Sequence, residues 1–129
     1  MRVGIDAQSI SEVGDAIDAH GDRYRRRLFT PAEVDDSGGW GATRASSASA
    51  LAVRFAAKEA VLKALRVAER IPGWTEIEVV REVGGWTSLR LTGLAEELAD
   101  EAGLQQFEVS LSHTSDTAVA VVVAVERPS

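Results

Sequence analysis

Apolar and polar positions change period several times along this chain, and each change marks an element. Arg2-Val3-Gly4-Ile5-Asp6 is a short apolar run closed by a carboxylate, the pattern of a buried strand with a charge at its end. From about residue 9 to 20 the period becomes helical: Ile10, Val13, Ala16 and Ile17 share one stripe, and Gly21 ends the segment. A turn through Tyr24 to Phe29 follows. Thr30-Pro31-Ala32-Glu33 reads as the start of a brief helix, with a hydroxyl cap, proline in the first position and a glutamate placed to close a capping box. Residues 37–43, Ser-Gly-Gly-Trp-Gly-Ala-Thr, read as a flexible loop.

The longest helix is expected from about Arg44 to Leu65, a stretch rich in alanine, leucine and lysine. Ile77 to Val83 and Trp86 to Leu91 then alternate in strand fashion about Gly84-Gly85, which reads as a two-residue hairpin turn. Leu94 to Ala102 returns to a helical pattern that Gly103 ends. Phe107 to Leu111 and Thr117 to Val125 form a second hairpin with His113 in its connection. No repeat, low-complexity tract or linker interrupts this order. It predicts an α+β fold, a mainly antiparallel sheet packed on a long central helix, in a single domain spanning residues 1–129. The last strand is apolar on both sides from Ala118 to Val125, so both sides need cover, from the chain's own helices or from neighbouring subunits.

Composition narrows the picture. A chain of 129 residues buries roughly two-thirds of its unfolded surface, enough for a core without covalent staples. With no cysteine, disulfides, thiol catalysis and cysteine-ligated zinc are excluded, which fits a cytoplasmic protein. An early carboxylate and the lack of a long apolar run argue against a signal peptide and a membrane span. The net charge of −6 argues against nonspecific nucleic-acid binding. Charge is uneven, however: Arg23, Arg25, Arg26 and Arg27 form either a solvated helix face or a patch for an anionic partner.

Three segments have chemical potential. Asp6 follows Gly4 at the end of a strand, where it can reach into a crevice or simply cap the next helix. In Arg54-Phe55-Ala56-Ala57-Lys58-Glu59-Ala60-Val61-Leu62-Lys63-Ala64, helical spacing puts Phe55, Glu59 and Lys63 on one stripe and Arg54, Lys58 and Leu62 on the next. Glu59 and Lys63 read plainly as a surface ion pair, supporting the helix by about 0.3–0.5 kcal/mol. A carboxylate among cations is also what holds Mg²⁺ and a polyphosphate together, the metal on oxygen and the cations on phosphate. Finally, Val109-Ser110-Leu111-Ser112-His113-Thr114 offers hydroxyls and an imidazole at a strand end, a structural feature or an anion-binding edge.

In combination, Gly4-Ile5-Asp6, the Arg54–Ala64 segment and Ser110-Leu-Ser-His-Thr114 resemble, in order and spacing, the holo-acyl-carrier-protein synthase family of 4'-phosphopantetheinyl transferases. Leu28-Phe29-Thr30-Pro31-Ala32-Glu33 and Ile77-Glu78-Val79 extend the likeness over nearly the whole chain. The resemblance implies transfer of phosphopantetheine from coenzyme A to a serine of an apo acyl carrier protein, in fatty-acid or polyketide supply, with adenosine 3',5'-bisphosphate released. It implies Asp6 and Glu59 as Mg²⁺ ligands and Asp6, Glu59 and Lys63 as the catalytic set, Glu59 being the usual sort of general base. It implies Arg54, Lys58, Lys63, His113 and Thr114 around the coenzyme's phosphates, and a homotrimer with sites between subunits. The alternative is a non-catalytic trimeric binding module that retains the nucleotide pocket. Departures from the pattern fall at Arg66, where glycine is common, at Trp86-Thr87, and at Glu12, where many relatives have a cation facing the carrier. With Asp15 and Asp18, Glu12 makes the first helix acidic, which predicts discrimination against strongly acidic carriers.

Overall fold

Small residues decide how the layers of this protein meet. The computed structural model describes residues 1–128. The order is β1 (Arg2–Ser9), α1 (Ile10–His20), α2 (Asp22–Leu28), α3 (Pro31–Asp35), α4 (Arg44–Leu65), β2 (Ile77–Arg81), β3 (Thr87–Leu91), α5 (Gly93–Glu101), β4 (Leu104–His113) and β5 (Thr117–Glu126). This is the expected α+β fold, with the pairings antiparallel and α4 as the long central helix. The strands divide into a three-stranded sheet of order β1-β5-β4 and a two-stranded ribbon of β2 and β3, with β3 running beside β4.

One face of the larger sheet lies on α4. Ala56, Ala57, Ala60, Val61 and Ala64 of the helix meet Ala120, Val122 and Ala124 of β5, all fully or almost fully buried. At β1 the approach is closer still. A Cβ built on Gly4 would stand 1.9 Å from the Ala60 carbonyl oxygen and 3.1 Å from the Ala64 nitrogen. No side chain fits there, so glycine is required by contact rather than by backbone angle. The other face is apolar and largely uncovered: Val3 is 59% and Ile5 58% exposed, opposite Val123 and Val121 in the register.

Boundaries differ from the local pattern wherever tertiary partners intervene. β1 runs on to Ser9 because its ladder with β5 continues to Thr117, so Asp6 is mid-strand rather than terminal, and Ser9 caps α1 instead. Tyr24–Leu28, expected as a turn, is helical. Arg25 is buried there and donates to Asp22 Oδ1 (3.0 Å), to Ser47 Oγ (3.2 Å) and to the Ala42 carbonyl, tying α2 to the glycine loop and to α4. The first hairpin has a three-residue connection, Val83-Gly84-Gly85, closed by the Glu82 amide on the Trp86 carbonyl at 2.9 Å. His113 ends β4 rather than sitting in the connection. The capping box at Thr30 and Glu33 forms as expected. Arg66 caps α4 in the left-handed region at φ 55°, a conformation that favours glycine. Among the described residues no helix is long and apolar enough to cross a membrane.

The contact at Gly4 generates a test. Gly4→Ala forces a methyl into the Ala60 carbonyl, and neither backbone can yield without breaking a ladder or a helix. The expected loss is about 3 kcal/mol or more, read as a lower midpoint in chemical denaturation; an unchanged midpoint would show that the helix slides freely on the strand.

Candidate active site

Three of the residues singled out in the sequence come together where β1 crosses α4. Side chains alternate along a strand, so Gly4, Asp6 and Gln8 share the face turned to the helix. The Gly4–Ala60 contact therefore carries Asp6 directly over the last turns of α4. There the Lys63 ammonium donates to Asp6 Oδ1 at 3.1 Å and to the Ile5 carbonyl at 2.9 Å. Glu59, one helical turn earlier on the same stripe, completes the group. Burial pushes its carboxyl above the usual range; the Asp6 charge adds to this and Lys63 opposes it. Asp6 is largely sheltered, with 13% of its side chain exposed, while Lys63 remains 54% exposed.

This donor set suits a hard divalent cation. Two carboxylates lie near enough for the Asp6 charge to act on Glu59, and one ammonium only partly neutralises them. No group of three or more metal-binding side chains exists among the described residues. Mg²⁺ ordinarily takes one or two carboxylates and fills its remaining positions with water and phosphate oxygens, so a two-carboxylate site open to solvent fits it.

The other sequence-derived residues lie elsewhere. Lys58 was expected near the phosphates; the structure puts it in the core, fully buried on the neighbouring stripe. Its ammonium donates to Glu33 Oε1 (2.7 Å), to the Trp74 carbonyl (3.0 Å) and to the Ile77 carbonyl, and it lies 5.5 Å from the centre of the Phe29 ring. All three protons are spent, so none is left for a ligand. Glu33 in turn accepts from the Thr30 and Val79 amides at 2.9 and 3.0 Å. Removing one member of such a pair strands a buried charge, at a cost of about 3–5 kcal/mol.

Arg54 sits with this second group. Five residues from Glu59, it points about 140° away round the helix, and Phe55, packed on Trp74 at 5.1 Å, stands between. Arg54 is buried, donates to the Ala50 carbonyl at 3.0 Å, and leaves its Nε without a partner. Burial lowers its pKa, while Glu33 and Asp36 oppose that shift. His113 is exposed, its Nδ1 3.0 Å from the Thr114 carbonyl, and Thr114 Oγ1 accepts from the amides of Asp116 and Thr117 at 3.3 and 3.1 Å. In the register His113 and Gln8 both pair with Ala118, two strand spacings or about 10 Å apart. One chain therefore presents Asp6, Glu59 and Lys63 in one place and Arg54, His113 and Thr114 outside it.

One site residue is missing from the sequence-derived set. Gln8 Nε2 donates to Asp6 Oδ2 at 2.6 Å. The strand period of two, counted on from Asp6, is the signal that points to it.

Comparison with known proteins points the same way as the motifs. The model of the ACPS family, the 4'-phosphopantetheinyl transferase superfamily, matches residues 2–122. The chain is 40% identical over 132 aligned positions to the holo-[acyl-carrier-protein] synthase of Herpetosiphon aurantiacus, covering 97% of this chain and 98% of that one. Among solved structures it is similar to the acyl carrier protein synthase of Mycobacterium tuberculosis, at 37% identity and a TM-score of 0.75, covering 98% of this chain and 97% of that one. It is also similar to the Helicobacter pylori holo-[acyl-carrier-protein] synthase solved in complex with coenzyme A, at 26% identity and a TM-score of 0.80, covering 95% and 99% respectively.

The raised proton affinity of Glu59 has a measurable consequence. Folding favours its neutral form, so charging it opposes folding as pH rises through the folded-state pKa. Glu59→Gln is expected to melt above the parent at neutral pH without metal. The difference should vanish in acid, where the parent carries the proton itself. A variant that melts lower at neutral pH would mean that attraction to Lys63 outweighs burial.

Proposed function

The chain belongs to the 4'-phosphopantetheinyl transferase superfamily, and on that premise we propose that it is a holo-acyl-carrier-protein synthase. Its substrates are coenzyme A and an apo acyl carrier protein. The observation that carries this reading is the meeting of Asp6, Glu59 and Lys63 at the β1–α4 crossing. The serine oxygen of the carrier attacks the β-phosphorus, the bond from that phosphorus to the bridging oxygen breaks, and adenosine 3',5'-bisphosphate leaves. Asp6 and Glu59 hold Mg²⁺, which when bound neutralises charge on the pyrophosphate and its leaving oxygen. Lys63, already exposed, turns its ammonium from Asp6 to the phosphates. Glu59 accepts the serine proton as general base. Arg54, with a buried Nε lacking a partner, supplies a second cation for phosphate.

Two features support a trimer with sites between protomers. The separation of the Asp6 group from Arg54 and His113 leaves each half a site within one chain. The outer face of the β1-β5-β4 sheet, with Val3 and Ile5 well exposed, needs a partner.

The carrier meets the protein through Arg23, Arg26 and Arg27, which are exposed on α2 while Arg25 is buried. The first helix is less acidic in effect than its sequence implies. Arg44 lies across Gly14 and pairs with Asp15 at 3.0 Å and Asp18 at 2.7 Å, which leaves Glu12 without an ion pair among the described residues. Selection against acidic carriers therefore rests on Glu12 and on the one negative charge that Arg44 leaves uncompensated between Asp15 and Asp18.

With coenzyme A, Mg²⁺ and an apo carrier, intact mass measurement should show the arm added to the carrier. Asp6→Ala and Lys63→Ala are each expected to lose roughly 100-fold or more in rate, and excess chelator should stop transfer; near-normal turnover of Asp6→Ala would refute the assignment. For the assembly, light scattering should report three protomers. Val3→Glu should give a folded monomer, judged by circular dichroism, without transferase activity, and an active monomer would refute the shared site.

A further inference from the structure

We propose that Gln8 is a positioning residue for the reaction, one that fixes which oxygen of Asp6 a metal can take. The inference rests on the reading of Asp6 as a metal ligand. Gln8 lies two residues beyond Asp6 on the same face of β1, and its Nε2 stands 2.6 Å from Asp6 Oδ2. An ionised carboxylate can only accept, so the amide must turn its NH₂ toward Asp6 and not its carbonyl. The bond is charge-assisted and short, the stronger kind.

Both ends of this bond are held rigidly. Asp6 pairs with Ala120 and Gln8 with Ala118, inside a ladder that runs from Arg2 to Ser9. Neither residue can shift along the strand without breaking it. From the opposite side Lys63 holds Oδ1 at 3.1 Å. Two donors on two oxygens fix the plane of the carboxylate, and they divide its work. Oδ2 is committed to Gln8 along the strand. Oδ1 is turned to α4, where Glu59 stands one turn from Lys63. A cation shared by Asp6 and Glu59 would therefore be offered Oδ1, the oxygen on the α4 side that Lys63 gives up when it moves to phosphate.

Gln8 is suited to this task because it is neutral. A lysine or arginine in its place would cancel the charge that attracts the cation, and an apolar residue would let Asp6 rotate and spread its affinity over two orientations. Outer partners that orient a ligand in this way are typically worth about 10–100-fold in metal affinity.

Gln8→Met keeps the length of the side chain and removes the donor. Mg²⁺ binding, followed by titration calorimetry with Mg²⁺ alone and again with coenzyme A present, should weaken about tenfold. The melting temperature without metal should fall by a few degrees with the loss of that hydrogen bond, while circular dichroism shows the same folded state. In transfer assays the Mg²⁺ needed for half-saturation should rise by the same factor, while kcat at saturating Mg²⁺ and KM for coenzyme A stay near the parent values. Gln8→Asn, whose shorter amide falls short of Oδ2, should show the same split and serves if the methionine variant fails to fold. Unchanged Mg²⁺ affinity, or a rate loss equal at every Mg²⁺ concentration, would overturn the role of Gln8. A parent protein that neither binds nor needs Mg²⁺ would instead overturn the metal assignment of Asp6 and Glu59, and the inference with it.

Discussion

The missing side chain of Gly4 is the constraint on which the rest of this structure depends. The Ala60 carbonyl occupies the space a Cβ would need, 1.9 Å away, so β1 and α4 touch backbone to backbone. Alanines on both surfaces extend that flat contact along β5. Such close packing leaves little freedom to slide or rotate. The remainder of β1 is thereby fixed in space: Asp6 over Lys63 and Glu59, with Gln8 behind it. The Asp6, Glu59 and Lys63 group is assembled by an interaction that contains no polar atom with a chemical role.

The same helix uses two lysines in opposite ways. Lys58 and Lys63 are five residues apart and chemically identical, yet one is wholly buried and the other mostly exposed. The buried one meets Glu33, Trp74 and Ile77, and so joins α3, α4 and the start of β2 at a single point. A buried ion pair adds little to stability over apolar packing, but it punishes misplacement of either partner. Here it pins the rotation of α4, and the rotation of α4 decides that Glu59 and Lys63 face β1. Arg25 performs a similar service at the other end of the helix, tying the glycine loop and Ser47 to α2. Lys58, Glu33 and Arg25 thus spend buried charge on orientation, while Lys63 keeps its ammonium mostly exposed.

Most of the fold is legible from local pattern. The bounds of α1 and α4, the capping box at Thr30, and the two hairpins all come from periodicity, caps and glycine positions, which act over a few residues. Tyr24–Leu28 departs from its local pattern because its helix is stabilised by Arg25 reaching partners 17 and 22 residues away. β1 is longer than its apolar run because a strand's length is set by its neighbour, and nothing in residues 7–9 announces Thr117 and Ala118 as partners.

At the site, the sequence alone determined the chemical inventory. Asp6, Glu59 and Lys63 stand in motifs that resemble the family's, and the stripe shared by Glu59 and Lys63 follows from the helical period. Only the tertiary structure decided which cations are available. Helical spacing puts Lys58 and Lys63 on neighbouring stripes, but which stripe is buried depends on how α4 is turned against α3 and β2. Likewise Asp15 and Asp18 look like an acidic face until Arg44, 26 residues beyond Asp18, crosses Gly14 to pair with both and cancel half of their charge. Gln8 acquires meaning only from its 2.6 Å contact with Asp6. The physical reason is common to all three cases. Backbone preferences and helix caps are short-range, whereas desolvation and charge pairing depend on every group within a few ångströms, and those groups arrive from distant parts of the chain.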